Sequence, residues 1–311
     1  MNSSSSIAIV IPCFNATATL AATINSALNQ DVTVDVIVID DGSTDGSLAL
    51  AREFEPNVRI FTGQNRGVSH ARNVGISETT AEWILFLDAD DLLEPATISK
   101  RLATAEASNA DVVICDWVEM HDDGSGVITT GAVRSVDWPA LEANAELAIA
   151  VHIWATTAAI LYKRSIVNKV GGFRPDLPII QDARFLFDAA YHGAQFAHSP
   201  HLGARYRVSP QGLSRRKPAL FWCDVLTNGQ QIEVLWRAIA KLSARQQIAL
   251  AGIYNHAARG LFASGHPDYF EAVESQRRLE VQLPLHPRLA VPLARITGLR
   301  AARHILKLMG R

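Results

Sequence analysis

Ten residues constrain this chain more than any others: Glu82-Trp83-Ile84-Leu85-Phe86-Leu87-Asp88-Ala89-Asp90-Asp91, an apolar run that stops abruptly in acid. Five consecutive large apolar residues are too few for a stable helix and rich in β-formers, so Trp83 to Leu87 reads as a central strand buried on both faces. In an open α/β sheet, ligands lie just outside the strand carboxyl ends, and the carboxylates emerging there are placed to face one. Strand alternation puts Asp88 and Asp90 on one side and Asp91 on the other. Two carboxylates on one face repel each other unless a cation or hydrogen-bond donors offset them, and a hard divalent ion is the natural partner. The competing reading is a solvated loop in which Asp91 caps a helix beginning near Glu94-Pro95.

Upstream, short apolar strands alternate with helix-length spacers. Ile7 to Ile11 reads as a strand broken by Pro12, and Ala18 to Asn29 has alanine-rich helical spacing, with Thr17 or Thr19 available as its cap. Val34 to Ile39 is a second strand that ends in Asp40-Asp41-Gly42-Ser43-Thr44-Asp45-Gly46-Ser47, a polar turn feeding a helix over Leu48 to Phe54. Val58 to Phe61 is a third, followed by Gly63-Gln64-Asn65-Arg66-Gly67 and a helix through Asn73 to Ser77. Strands joined by helices pair in parallel through right-handed crossovers, so the fold class is α/β: a Rossmann-like, doubly wound and mostly parallel sheet with its loops gathered at one edge.

At 311 residues, 48% hydrophobic and 19% charged, the chain can bury one large core or two unequal ones. Its net charge of -2 gives no electrostatic ground for a nucleic-acid partner. Cys13, Cys115 and Cys223 sit in scattered apolar settings without metal-ligand spacing and read as reduced core thiols. No basic segment precedes the first apolar run and no stretch approaches the roughly 18 apolar residues of a membrane span, so a soluble or peripheral cytoplasmic protein is expected. No Gly-x-Gly-x-x-Gly follows the first strand, which continues Ile11-Pro12-Cys13-Phe14-Asn15, and no Walker lysine motif occurs. A nucleotide bound here would have its diphosphate neutralised by a metal on Asp90, which points to a nucleoside diphosphate that leaves.

Four segments carry a resemblance: Val10 to Asn15, Val38 to Ser47, Asn65 to Ile76 with its Arg66-Gly67-Val68-Ser69-His70-Ala71-Arg72-Asn73, and Phe86 to Asp91. In this order and spacing they resemble glycosyltransferase family 2, the inverting nucleotide-sugar transferases of GT-A fold. The resemblance implies transfer of one sugar from a nucleoside-diphosphate sugar, expected to be a UDP-sugar, to an acceptor hydroxyl on a glycan or lipid-linked acceptor in cell-surface polysaccharide synthesis. It implies that Asp41, with Asp40 beside it, contacts the base, that Pro12 and Asn15 shape the base and ribose pocket, and that Arg72 lies near the nucleotide. It also implies that Asp88 and Asp90 hold Mn2+ or Mg2+. The residues alone leave Asp40 to Asp45 open to a turn-and-cap reading and Arg72 to that of a surface helix residue.

Further on, Ala110 to Met120 reads as a strand, Asp122 to Gly126 as a hairpin turn into Val127 to Thr130, Ala140 to Ala150 as a helix and Ala158 to Tyr162 as a strand. A short helix, Arg164 to Val170, stops at Gly171-Gly172. The resemblance continues through Gly171-Gly172-Phe173 to Gln181-Asp182, where the family has an acidic pair whose Asp is the catalytic base. Here the first acid of the pair is Gln181, Asp188 stands where an arginine is frequent, and Asp182 also fits a helix N-cap. The loss of that acid leaves room for a nucleotide-sugar-binding protein without transfer activity. Gly172, His152 and Trp154 are placed on the acceptor side, Trp154 as a ring to stack on a sugar or else as core. Arg207, in a loop expected to close over the diphosphate, is the candidate phosphate contact.

The GT-A domain is expected to span residues 1–219, followed by a helical region over 220–311. In its last part, Arg300, Arg303, Lys307 and Arg311 share one helical face and Leu299, Ala302, Leu306 and Met309 another, a pattern suited to peripheral contact with an anionic inner membrane face or to packing on the domain itself.

Overall fold

A computed structural model describes residues 6–125, 127–151, 153–210, 212–281, 283–284 and 290–308. The chain divides into two compact units, residues 1–149 with 153–210, and residues 150–152 with 211–311.

The first unit is built on a sheet. Strands β1 (Ile7–Cys13), β2 (Asp35–Asp40), β3 (Val58–Thr62) and β4 (Trp83–Phe86) alternate with helices α1 (Leu20–Leu28), α2 (Ser47–Arg52) and α3 (Val68–Ser77), close to the boundaries that the apolar runs mark. β1 pairs in parallel with both β2 and β4, and β2 with β3, in the order β3-β2-β1-β4. All residues of β1 and β4 are buried, as their unbroken apolar sequences require of strands covered on both faces. In this winding order the crevice opens where the order reverses, outside the carboxyl ends of β1 and β4.

Beyond β4 the sheet becomes mixed. The elements are β5 (Leu92–Leu93), α4 (Thr97–Ser108), β6 (Val112–Asp122), β7 (Ile128–Arg134), α5 (Trp138–Ala143), α6 (Ala145–Val151), a 3-10 turn at Thr157–Ala159, β8 (Ile160–Lys163), α7 (Arg164–Val170), α8 (Gln181–Tyr191) and β9 (Phe196–Val208). β8 runs antiparallel between β4 and β6, while β9 runs parallel to β6 and antiparallel to the short β5. The single helix expected over Ala140 to Ala150 is two, because Asn144 turns extended and its side chain accepts from the Leu147 N–H at 2.8 Å as the cap of a new helix. Phe86, Tyr162, Phe173 and Phe185 interlock beneath the crevice, with Phe173 and Phe185 stacked at 4.1 Å, which holds α8 against β4 and β8.

The second unit contains α9 (Leu213–Arg216), α10 (Pro218–Ile239), α11 (Ala244–Ser264), α12 (Tyr269–Arg277), α13 (Ala290–Thr297) and α14 (Leu299–Leu308). Ser243 and Gln246 close a reciprocal capping box at the start of α11. Ile232, Trp236, Leu250, Tyr254 and Leu261 form its interior. Ala302 and Leu306, on the apolar face of the basic C-terminal segment, are buried as well, and the Arg303 guanidinium donates to the Ala263 carbonyl near the end of α11. Ala302 and Leu306 are thus covered within the protein; Met309 and Arg311 lie outside the described residues. Among the described residues no helix is long and apolar enough to cross a membrane.

Candidate active site

Three loops at the carboxyl edge are tied to one another by short polar side chains. Asn15, in the turn two residues after β1 with φ 51°, donates its N–H to Ser43 Oγ at 3.0 Å and accepts the Thr44 N–H on Oδ1 at 2.8 Å. Asp41 accepts the Arg66 and Gly67 N–H groups at 2.9 and 2.8 Å, while Asp40 accepts from the Thr62 hydroxyl at 2.9 Å and the Ser43 N–H at 3.2 Å. Both acids are nearly inaccessible, and their first task is to bind the loops after β2 and β3 together. Gly42 permits this approach: it sits at φ +74°, and a Cβ there would stand 2.9 Å from the Asn65 backbone nitrogen. Pro12 is buried within β1, and Phe14 beside it projects into solvent.

β4 ends at Phe86, so the acids that follow lie in a turn, closed by the Asp91 N–H on the Asp88 carbonyl at 3.0 Å, and strand alternation does not orient them. Asp91 points inward. It is fully buried, accepting the Thr156 hydroxyl at 3.0 Å and the Arg207 N–H at 2.8 Å, and it caps no helix, since α4 starts only at Thr97. Asp88 and Asp90 keep access to solvent. Enclosure by protein, reinforced by the neighbouring Asp88 charge, pushes the Asp90 carboxyl up to about 6. A side chain both enclosed and accessible lies in a cleft. No side-chain hydrogen bond reaches the Asp90 carboxylate among the described residues, so a cation there would relieve a real electrostatic cost, and the pair fits a divalent ion.

Arg72 is not a surface residue. At 1% exposure it lies over the Phe173 ring and donates one guanidinium nitrogen to Asp88 Oδ1 and another to Gln181 Oε1, 109 residues away in sequence. The bridge runs from the acidic turn to the first residue of α8. Asp182 follows inside the first turn, with Ile180 in the N-cap position, so Asp182 is not the cap that its sequence context suggested. Burial raises its pKa, opposed chiefly by the nearby Arg72 charge, although its surface still meets solvent. Trp154 donates its indole N–H to Asp182 Oδ2 at a long 3.4 Å, and its ring, 38% exposed, meets Tyr206 edge-on at 5.2 Å. Gly172, at φ +118°, leaves room for Asn73, whose Oδ1 accepts the Phe173 N–H at 2.7 Å.

Arg207 lies at the end of β9 rather than in a free loop. Its guanidinium donates to Asp122 Oδ2 at 2.9 Å and to the Asp90 carbonyl at 3.2 Å. Asp188 pairs with Arg184 one helical turn away at 2.7 Å. His152 lies outside the described residues. Asp122, Thr156 and Tyr206 had no local signal as site residues, because each meets its partner through the order of β6, β8 and β9. A broad groove of about 1360 Å³ lies at the opposite edge of the same strands, lined by Ile7, Asp35, Trp83 and Lys163 among others, and none of the residues above borders it.

A sheet wound as β3-β2-β1-β4, with acid-ended strands facing a crevice and no glycine fingerprint, agrees with the GT-A fold that the resemblance implies. The sequence model of "Glycosyl transferase family 2" matches residues 8–170, just over half of the chain, and the chain belongs to that family. It is 29% identical over 217 residues to the succinoglycan biosynthesis protein ExoO of Rhizobium meliloti, a match covering 67% of this chain and 62% of that protein. Among solved structures, S. aureus TarS 1-349 in complex with UDP-GlcNAc superposes with a TM-score of 0.68 at 18% identity, covering 96% of this chain and 89% of that one. The mannosyltransferase PcManGT of Pyrobaculum calidifontis, in complex with GDP-Man and Mn2+, gives 0.58 at 18% identity, covering 99% and 88%. These two likenesses establish the shared fold.

Proposed function

We propose that the protein is an inverting, metal-dependent transferase that moves one sugar from a UDP-sugar to a hydroxyl of a glycan or lipid-linked acceptor. The observation that carries this reading is the Arg72 bridge, which couples Asp88 at the donor side to the α8 turn that presents Asp182. Asp88 and Asp90 would hold Mn2+ or Mg2+, which supplies charge neutralisation for the departing diphosphate. Asp182 accepts the proton of the acceptor hydroxyl as that oxygen bonds to the anomeric carbon and the bond from carbon to diphosphate oxygen breaks. A carboxylate held above its ordinary pKa by burial is the better base for this step. Asn15, Asp40 and Asp41 shape the base and ribose pocket with Pro12, and Trp154 with Tyr206 offers an aromatic wall for the acceptor sugar. The UDP bound in the TarS structures and the GDP-Man with Mn2+ in the mannosyltransferase support this class of donor.

The test is binding and release of the nucleotide. UDP should raise the melting temperature only with Mn2+ or Mg2+, and Asp90→Ala should lose that shift. An equal shift in EDTA would remove the metal assignment. Release of UDP from UDP-sugars with a panel of acceptors separates transfer from the second reading, a binding protein without activity. Two observations favour that second reading: Gln181 stands in place of an acid, and Arg207 is committed to Asp122.

A further inference from the structure

Cys223, His266 and Asp268 bring a thiol, an imidazole and a carboxylate to one point of the helical unit. Cys223 lies in the second turn of α10, His266 follows the left-handed Gly265 that ends α11, and Asp268 stands at the N-cap position of α12. Sγ is 3.6 Å from His266 Nδ1 and 3.5 Å from Asp268 Oδ2, and Nδ1 is 3.5 Å from Oδ1. A tetrahedral zinc ion with bonds of about 2.3 Å to sulfur and about 2.0–2.1 Å to nitrogen and oxygen sets ligand edges of about 3.3–3.6 Å. Each of the three separations is close to such an edge, the two to Asp268 falling on different carboxylate oxygens, and one ligand atom from each residue lies within 4.8 Å of the other two.

A nucleophilic Cys–His–Asp relay would look different, with thiol and carboxylate on opposite ring nitrogens. Here the carboxylate reaches Nδ1, and the sulfur stands almost equally far from both ring nitrogens, at 3.6 Å from Nδ1 and 3.9 Å from Nε2. Ligation through Nδ1 takes a turn of the imidazole that brings its lone pair towards the sulfur and the carboxylate. The Asp268 N–H approaches Nδ1 at 3.4 Å, a long contact that a metal bond would replace. All three side chains are half-buried, which leaves a fourth position for water.

We propose that these residues form a zinc-type transition-metal site that ties the start of α10 to the junction of α11 and α12. It belongs to the helical unit, whereas Asp88 and Asp90 belong to the sheet unit. Thiolate and imidazole donors select ions such as Zn2+ over Mg2+, so its occupancy is independent of the ion proposed for the nucleotide.

Co2+ alone, titrated into EDTA-treated full-length protein, tests this. One equivalent should give thiolate-to-cobalt charge-transfer absorption in the near ultraviolet and tetrahedral bands in the visible, lost on adding Zn2+ and unaffected by excess Mg2+. Cys223→Ser should abolish the charge-transfer band. His266→Ala and Asp268→Ala should each weaken Co2+ binding by at least about tenfold. Asp90→Ala should keep the band, since no thiol lies among the acids of that site. Circular dichroism of each variant separates lost ligation from lost folding, and the His266 and Asp268 variants serve if Cys223→Ser does not fold. Wild-type protein without the band at saturating Co2+, or a band that survives Cys223→Ser, would overturn the site.

Discussion

Asp182→Asn separates the proton acceptor from everything else that side chain does. The change keeps size and one acceptor oxygen, and the structural losses are small. The Trp154 hydrogen bond is long, at 3.4 Å, and accounts for less than about 1 kcal/mol. Losing an acid from the first turn of α8 costs about 0.3–1 kcal/mol of helix-dipole interaction. Against these stands the relief of burying a charge, the largest influence on this carboxyl. Stability at neutral pH should therefore stay close to wild type. Its pH dependence has a definite sign. A carboxyl whose pKa is higher folded than unfolded holds its proton longer in the native state, so its contribution to stability is greatest at low pH and is lost as pH rises through the folded value. The variant lacks that loss, and the difference should move in its favour as pH increases. Turnover should behave oppositely, falling about 10² to 10⁴-fold, or about 3–5 kcal/mol of transition-state stabilisation, with the donor Michaelis constant unchanged. Wild-type turnover should itself decline as pH drops through the raised Asp182 pKa. Near-normal turnover by the variant, measured as UDP release with a confirmed acceptor, would refute the base assignment. Asp188 would be a poor replacement, since Arg184 already holds it.

Arg72→Ala should be costly for folding. Breaking a buried charge pair costs about 3–5 kcal/mol, reduced to about 2–4 because the Asp88 side chain is 36% exposed, and urea unfolding measures it; a loss under about 1 kcal/mol would contradict the bridge. Gly42→Ala forces a side chain into a left-handed backbone 2.9 Å from Asn65 N, so about 1–3 kcal/mol of stability should go, together with UDP affinity, as the loops after β2 and β3 part. An unchanged melting temperature would show that those loops yield freely.

The elements legible in the sequence were those whose cause is local. The unbroken apolar runs of β1, β2 and β4 must be strands covered on both sides, and Asp, Gly and Ser after them must turn, whatever the rest of the chain does. The acid-ended crevice and the family motifs follow from that first half, where each strand pairs with its sequence neighbour except β4, which returns beside β1. Tertiary structure decided the partners. Whether Arg72 is a surface residue or a buried bridge depends on Gln181, 109 positions away, and whether Arg207 is free depends on Asp122, 85 positions away. Asp182 lies inside α8 rather than capping it, because packing of Phe185 on Phe173 and Tyr162 sets where that helix sits. Cys223, read as a core thiol, turned out half-buried beside His266, 43 positions on. Each of these contacts is made by side chains whose neighbours in sequence say nothing about it: only the order of β8, β6 and β9, or the return of one helix along another, brings the two ends together.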